Sequence, residues 1–117
     1  QNFTGLFTGD LEEAGEKEII NKLSHVNYLK VAHHGSKGAS SEIFLEQVKP
    51  DVSVISCGKK NRYGHPHKET LKRLENIGSK VYRTDKVGAV SIECQNVKWY
   101  LSLWTKESGK KRLLSDW

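Results

Sequence analysis

Strand-like and helix-like segments alternate along most of this chain. Short apolar or β-branched stretches occupy 3–7, 28–32 and 52–57, and each is followed by a loop and then by apolar residues at helical spacing. A further short stretch at 80–83 continues the series. Consecutive strands that are separated by helices have to be joined by crossovers, which favour a parallel sheet with helices packed on it. The alternation therefore predicts an α/β fold.

The ends of the helical segments carry their own signals. Asp10, with Glu13 placed after it, is typical of a capping box at the start of the first helix. Pro66 is placed as in the first turn of the third helix, and Gly78 is placed as its left-handed C-terminal cap. These residues predict where the helices begin and end.

The last part of the chain has a strand pattern without helices. Apolar and polar residues alternate through 90–94 and 97–103, with Gln95-Asn96 between them as a short turn. This pattern predicts a β-hairpin that completes the sheet. Residues 106–117 are rich in lysine and arginine, and we expect them to form a charged tail.

Composition narrows the class of protein. The 117 residues, of which 36% are hydrophobic and 28% charged, suit one domain and exclude collagen-like and low-complexity chains. A formal charge of +5 favours an anionic partner such as nucleic acid. No apolar run reaches the roughly 18 residues of a membrane span, so we expect a soluble piece that does not insert into lipid. Cys57 and Cys94 are too few and too far apart for a thiolate zinc site or CxxC chemistry, and each is predicted to be a small core residue.

Histidines and one aspartate follow the predicted strands. His33 and His34 form one pair and His65 and His67 another, while Asp10 follows the first strand. Because ligands usually bind at the carboxyl ends of strands in open α/β sheets, we expect these groups to gather at one edge. Imidazole is the commonest metal ligand and transfers protons near neutral pH. A carboxylate can cap a helix and still offer a lone pair to a metal ion.

Loop residues beside the histidines suit a phosphate group. The hydroxyl of Ser36 can donate a hydrogen bond to phosphate, although a plain loop serine explains it equally well. Lys59, Lys60 and Arg62 form a basic loop that leads into a helix start, which favours an anion, with a solvated turn as the alternative. Phosphodiester cleavage needs both charge neutralisation and proton transfer, and cations beside histidines supply both. The motifs GxSxG, GxxxxGK[ST] and GxGxxG are absent, which argues against a serine hydrolase or a nucleotide-binding domain.

Four motifs occur in a characteristic order. They are FTGD at 7–10, LKVAHHGS at 29–36, NRYGHPH at 61–67 and VYRTD at 81–85, the last followed by Gly88-Ala89. Together they closely resemble the metallo-β-lactamase-fold domain of ComEC-type DNA-internalisation competence proteins, over about residues 1–94. The resemblance implies a metal-dependent phosphodiesterase or nuclease built as an αββα sandwich, of which residues 1–105 are similar to the C-terminal half.

The resemblance also implies roles for individual residues. In such domains an aspartate that follows a strand bridges two metal ions, and Asp10 matches it. A late histidine binds the second ion, and His65 resembles it. His33 or His34 resembles a residue that contacts phosphate or shuttles a proton, with His67 as a third catalytic candidate, and an exchange of roles between His34 and His65 stays open. Zinc, manganese and iron all suit such ligands.

One departure from the family pattern decides what the chain can do alone. The HxHxDH motif, which supplies most metal ligands in this family, is absent. We therefore expect a fragment that binds metal weakly and does not hydrolyse phosphodiesters alone, because a catalytic site commonly takes about three protein ligands. The parent resembles a bacterial cell-membrane protein whose hydrolase domain faces outside. The implied partners are the DNA phosphate backbone, the remainder of the domain and a membrane channel protein.

Two rival functions are compatible with the same residues. One is a related metallo-esterase that acts on a small phosphoester such as phosphocholine. The other is a basic DNA-binding module without catalysis. A steep inverse dependence on salt would mark long DNA as the ligand. A chelator would stop hydrolysis and leave binding to the phosphate backbone largely intact.

Overall fold

The computed structural model describes residues 3–57, 64–87, 89–95, 98–105 and 109–114. It contains a four-stranded parallel sheet and a three-stranded antiparallel sheet, each with its strands in sequential order. The strands are β1 (Gly5–Phe7), β2 (Tyr28–Lys30), β3 (Val52–Ile55), β4 (Lys80–Arg83), β5 (Ala89–Gln95), β6 (Lys98–Thr105) and β7 (Gly109–Leu114). The prediction of an α/β fold with a parallel sheet is confirmed. The metallo-β-lactamase sandwich stays a prediction.

Helices connect the parallel strands. The α-helices are α1 (Glu13–Ile19), α2 (Glu42–Val48), α3 (Lys68–Asn76) and α4 (Thr84–Val87), and short 3₁₀ segments cover Ile20–Lys22 and Ala32–Gly35. The second of these segments contains both histidines of the first pair, which the sequence placed in a plain loop. In the described part of the chain, no helix is both long and apolar enough to cross a membrane.

The hydrophobic core lies between one face of the parallel sheet and the helices. Its largest fully buried side chain is Phe44 of α2, and Leu29 of β2 and Ile55 of β3 are also fully buried. Alternation along each strand directs these strand residues to one face, while helical spacing gathers those of α2 and α3 opposite them. The core cluster consists of Val26, Leu29, Val31, Phe44, Leu45, Val48, Ile55 and Leu74.

The other face of the sheet is open at β1. Phe7 is 74% exposed, and its ring centroid lies 5.5 Å from that of Tyr28. Phe3 contacts the same tyrosine at 6.4 Å and is half-buried. An incomplete sandwich predicts that Phe3, Phe7, Trp99 or Trp104 is exposed or is buried by self-association, and of these Phe7 is exposed in the structure. The side chains of Trp99 and Trp104, which belong to the same prediction, lie outside the described residues.

Two of the predicted helix starts are wrong. Helix α1 has Glu12 as its N-cap, without a capping hydrogen bond from its side chain, so Asp10 and Glu13 form no capping box. The reason is a tight turn, in which the Leu11 N–H donates to the Thr8 carbonyl at 2.8 Å and delays the helix. Because Asp10 lies within this turn, its carboxylate does not cap the helix.

Helix α3 also begins later than predicted. Its N-cap is His67, whose backbone is extended, so Pro66 precedes the helix and is not in its first turn. The His67 N–H donates to the Gly35 carbonyl at 3.0 Å, which ties this point of the chain to the loop after β2. The predicted cap at the other end is confirmed. Gly78 has φ +75°, and its N–H donates to the Glu75 carbonyl at 3.0 Å.

The C-terminal hairpin is confirmed, but the prediction that it completes the parallel sheet is wrong, because β5 and β6 belong to a separate sheet with a third strand that was missed. Strands β5 and β6 pair antiparallel, and Gln95 pairs with Lys98, so Gln95 belongs to the strand and not to the turn. Strand β7 lies inside the predicted tail 106–117 and pairs with β6. Its Lys-Lys-Arg sequence suggested a solvated tail, but such cations are also common on edge strands. The domain boundary at residue 105 stays a prediction.

Candidate functional site

The carboxyl ends of the parallel strands bring the second histidine pair beside His34. The ring centroids of His34 and His65 are 6.3 Å apart with nearly parallel planes, and those of His65 and His67 are 4.8 Å apart, edge to face. His34 follows β2, whereas His65 and His67 lie between β3 and α3. The expectation that the two pairs meet at this edge of the sheet is confirmed for these three rings. Their chemical roles stay predictions.

A backbone carbonyl fixes the proton of His34. Its Nδ1 lies 2.7 Å from the carbonyl oxygen of Ser56, immediately after β3. A carbonyl can only accept a hydrogen bond, so Nδ1 carries a hydrogen and donates it. In the neutral ring the lone pair is then on Nε2, and the side chain is exposed. This geometry suits a general base, and it also matches the way metal-binding imidazoles are oriented by a backbone carbonyl.

His67 has the opposite tautomer. Its Nδ1 accepts a hydrogen bond from the backbone N–H of Lys37 at 2.9 Å. Nδ1 therefore has its lone pair engaged, and the neutral ring carries its hydrogen on Nε2. His34 and His67 thus differ chemically although their side chains are the same. Sequence analysis grouped them as equal candidates for catalysis.

A close backbone approach holds the two histidine segments together. Gly35 has φ +82°, and a Cβ on it would lie 2.6 Å from Cβ and 3.0 Å from Cα of Pro66. Only glycine fits this position without strain. Gly35 therefore allows the loop after β2 to lie directly on the segment that carries His65 and His67.

Ser36 shapes the loop that follows the first histidine pair. Its Oγ accepts a hydrogen bond from the Gly38 N–H at 3.3 Å, as serines do in local turns. The hydroxyl retains its own hydrogen as a donor, so a contact with phosphate stays a prediction. The neighbouring Lys37 ammonium lies 4.0 Å from a carboxylate oxygen of Glu69, and both side chains are mainly exposed.

The two metal ligands that the resemblance implies lie in different surroundings. Asp10 is exposed in the turn after β1, and His65 is half-buried. Among the residues that the structure describes, no group of three histidine, cysteine, aspartate or glutamate side chains is arranged to hold a metal ion. The His33 side chain and the residues Lys59, Lys60 and Arg62 lie outside the described part of the chain.

Sequence analysis missed a polar cluster at the ends of β3 and β4. The Cys57 N–H donates to Thr84 Oγ1 at 2.9 Å, and the Thr84 hydroxyl donates to the Cys57 carbonyl at 3.1 Å. Arg83 donates two hydrogen bonds to Asp85, at 3.1 and 2.8 Å, and this lowers the pKa of Asp85. Burial raises the pKa of the Cys57 thiol. The signal in the sequence is Arg83-Thr84-Asp85, a run of polar residues at the end of β4.

A groove of about 370 Å³ lies apart from the histidines. Residues of α1, α2, α3 and the loop 37–41 form its walls, and Lys37 is the residue closest in sequence to the histidine pair. Its lining mixes both signs of charge with Ile20 and Ile43. No histidine is among the residues that line the groove, so it is separate from the candidate site at the histidine cluster.

Comparisons with known proteins identify relatives in bacteria, among them the following three. The chain is 43% identical over 93 residues to ComE operon protein 3 of Bacillus subtilis, which covers 78% of the chain and 12% of that protein. It is 37% identical over 106 residues to Recombination protein 2 of Haemophilus influenzae, covering 85% of the chain and 14% of the relative. It is 35% identical over 112 residues to Competence protein ComA of Neisseria gonorrhoeae, covering 87% of the chain and 16% of the relative.

The chain therefore spans 12 to 16% of the length of these three relatives. No protein-family model matches it. No solved structure matches it either.

Proposed function

We propose that this chain, whose homologues support its place in a competence-protein family, is the phosphate-contacting half of a metal-dependent phosphodiesterase or nuclease that acts on DNA during uptake. The observation that carries the proposal is the cluster of His34, His65 and His67 at one edge of the parallel sheet. Two of these rings have opposite tautomers, which are held by backbone groups.

The opposite tautomers give the two rings different roles toward a phosphodiester. Hydrolysis of a phosphodiester requires a proton to leave the attacking water and another to reach the leaving oxygen. His34 offers an Nε2 lone pair that can take the proton of the attacking water, and the imidazolium so formed can give that proton to the leaving oxygen. His67 carries its hydrogen on Nε2 and is suited to donate a hydrogen bond to a phosphoryl oxygen. The net charge of +5 favours a polyanionic substrate.

The proposal includes divalent metal ions, zinc or manganese, which act as Lewis acids on phosphoryl oxygens when bound. We assign Asp10 and His65 as ligands that this chain contributes, with His34 as the alternative to His65. The described residues do not complete such a centre, so the remaining ligands have to come from other parts of the protein.

The same proposal gives the chain a place in a larger protein. It would be a domain segment of a bacterial cell-membrane protein, on its outward side, in contact with the rest of the hydrolase domain and with a channel. The relatives are long enough for such an arrangement, because they extend far beyond the segment that matches.

The deciding experiment compares this chain with a form of the protein extended upstream. We expect the extended form to contain bound metal and to cleave DNA, and the chain alone to do neither. Metal is measured by elemental analysis after gel filtration, and cleavage is measured on linear DNA and on a phosphocholine ester. Equal metal content and activity in both forms would show that the chain carries a complete site. Metal binding without DNA cleavage in the extended form would contradict the nuclease function.

Neutralising the basic loop tests whether DNA is held through its phosphates. We expect the variants Lys59→Gln, Lys60→Gln and Arg62→Gln each to weaken binding equally for unrelated sequences. Each should lower the slope of log K against log salt by about one, since one phosphate contact is lost. Lys22→Gln is the control, because Lys22 precedes the amino end of β2 and is exposed. An unchanged salt dependence in all three loop variants would show that DNA binds elsewhere, and Lys110-Lys111-Arg112 would be the next candidate.

A further inference from the structure

A buried carboxylate is hydrogen-bonded to the loop between the first histidine pair and α2. Glu16 of α1 is 1% exposed. Its two oxygens accept hydrogen bonds from the Ser40 N–H at 2.5 Å and from the Ser41 N–H at 3.0 Å. A carboxylate buried to this extent is costly unless it is fully hydrogen-bonded, and here backbone donors of the loop satisfy it.

A guanidinium from α3 holds the same loop by its carbonyls. The Nη1 of Arg73 donates to the carbonyl oxygens of Lys37, Ala39 and Ser40, at 3.1, 3.2 and 3.4 Å. A carboxylate can only accept hydrogen bonds and a guanidinium can only donate them, so Glu16 binds the N–H groups of the loop and Arg73 binds its carbonyl groups. We call the loop 36–41 with these two side chains the clamp.

The clamp is connected directly to the candidate site through one residue. The N–H of Lys37 donates to Nδ1 of His67, and the carbonyl of the same residue accepts from Arg73. The Lys37 backbone thus lies between the two side chains, with its N–H on His67 and its carbonyl on Arg73. The orientation of the His67 imidazole therefore depends on Arg73 through the backbone of Lys37.

Helix capping alone does not explain this arrangement. Ser41 is already the N-cap of α2 and accepts from the Phe44 N–H through its own side chain at 3.3 Å. Glu16 would add to that cap, but the bond from Arg73 to Lys37 lies outside the helix and contributes nothing to it. Ser40 moreover has φ +54°, a left-handed conformation that a serine holds only where its surroundings impose it.

We propose that Glu16 and Arg73 are positioning residues, which hold the loop 36–41 so that the Lys37 N–H keeps His67 in the tautomer with its hydrogen on Nε2. The positioning is a property of the folded chain. Its consequence for catalysis rests on the proposed function. Neither residue contacts the reacting atoms in this scheme.

Nitrogen NMR of the histidine side chains tests the proposal without any assay of activity. In the unaltered protein at pH 8, we expect His67 and His34 to show opposite tautomers. In Arg73→Met, the Nδ1 resonance of His67 should move, because its hydrogen-bond donor is no longer fixed, while that of His34 should stay. Arg73→Lys, whose ammonium can still donate to the carbonyls, should restore the signal at least partly.

Amide hydrogen exchange tests the other half of the clamp. Glu16→Gln replaces one acceptor oxygen by an NH₂ group, and the Ser40 and Ser41 amides should exchange at least about tenfold faster because a charge-assisted bond is lost. The matched control is Glu13→Gln, since Glu13 is an exposed residue of the same helix whose carboxylate pairs with Lys17. If Glu16→Gln does not fold, the Arg73 variants carry the test, because Arg73 is only half-buried.

The outcomes separate positioning from function. Folded Arg73→Met protein with an unchanged His67 resonance would overturn the proposal, as would unaccelerated exchange at Ser40 and Ser41 in folded Glu16→Gln. If the NMR changes occur as expected but the protein has no nuclease activity, the positioning role of the clamp is supported and the proposed function is wrong. Loss of stability alone, with native histidine signals, would assign both residues to folding and overturn their positioning role.

Discussion

Replacing His34 by alanine in the full-length protein should lower the rate of phosphodiester hydrolysis by a factor of about 10² to 10⁴, the usual contribution of one positioned acid or base. The expectation follows from the hydrogen bond between its Nδ1 and the Ser56 carbonyl, which directs the Nε2 lone pair outward. The measurement is the turnover of linear DNA, together with the metal content of each preparation. A large loss of turnover with metal retained would assign proton transfer to His34.

Two further histidine variants make this result interpretable. His65→Ala should lose bound metal. If His34→Ala loses metal instead, His34 is the metal ligand and His65 the residue that transfers protons. His25→Ala is the control, because His25 precedes β2 at the other edge of the sheet and contacts Asp51 at 3.2 Å. It should leave the turnover nearly unchanged. Full activity in His34→Ala would remove His34 from the site.

Most of the fold could be predicted because its signals are local. Alternating strand and helix patterns, together with the handedness of crossovers, leave a parallel sheet as the natural arrangement. Gly78 was placed correctly because a left-handed cap depends on one residue. The helix starts at Asp10 and Pro66 were predicted wrongly because long-range and turn hydrogen bonds decided them, and local propensity did not.

The site could be predicted only as a set of residues. The histidines were found because their side chains carry recognisable chemistry and follow strands. Their tautomers depend on the Ser56 carbonyl and on the Lys37 N–H, which are 22 and 30 residues away in sequence. Side-chain identities do not indicate which backbone group a ring will meet. For the same reason Glu16 and Arg73 resembled ordinary surface charges of two helices, although Glu16 is almost completely buried.

Gly35→Ala should lower both stability and activity strongly, although it removes no functional side chain. A Cβ at this position meets Pro66 at 2.6 Å, and the backbone is left-handed with φ +82°. The left-handed conformation should cost about 1–2 kcal/mol and the overpacking about 1–3 kcal/mol more. The free energy of unfolding, measured in urea, should therefore fall by about 2–5 kcal/mol. Activity in the full-length protein should fall as well, because relief of the contact displaces Pro66 and with it His65 and His67.

Gly78→Ala separates the two contributions. Gly78 has φ +75°, but nothing lies within 4 Å of its ideal Cβ, so only the conformational cost of about 1–2 kcal/mol applies. It also lies after α3, away from the histidines, and turnover should be retained. The difference between the two variants then measures the contact between Gly35 and Pro66 alone. Equal losses of stability, with turnover retained in both, would mean that the loop after β2 can yield without moving the histidines. In that case the close approach of Gly35 to Pro66 would not be what holds the three rings together.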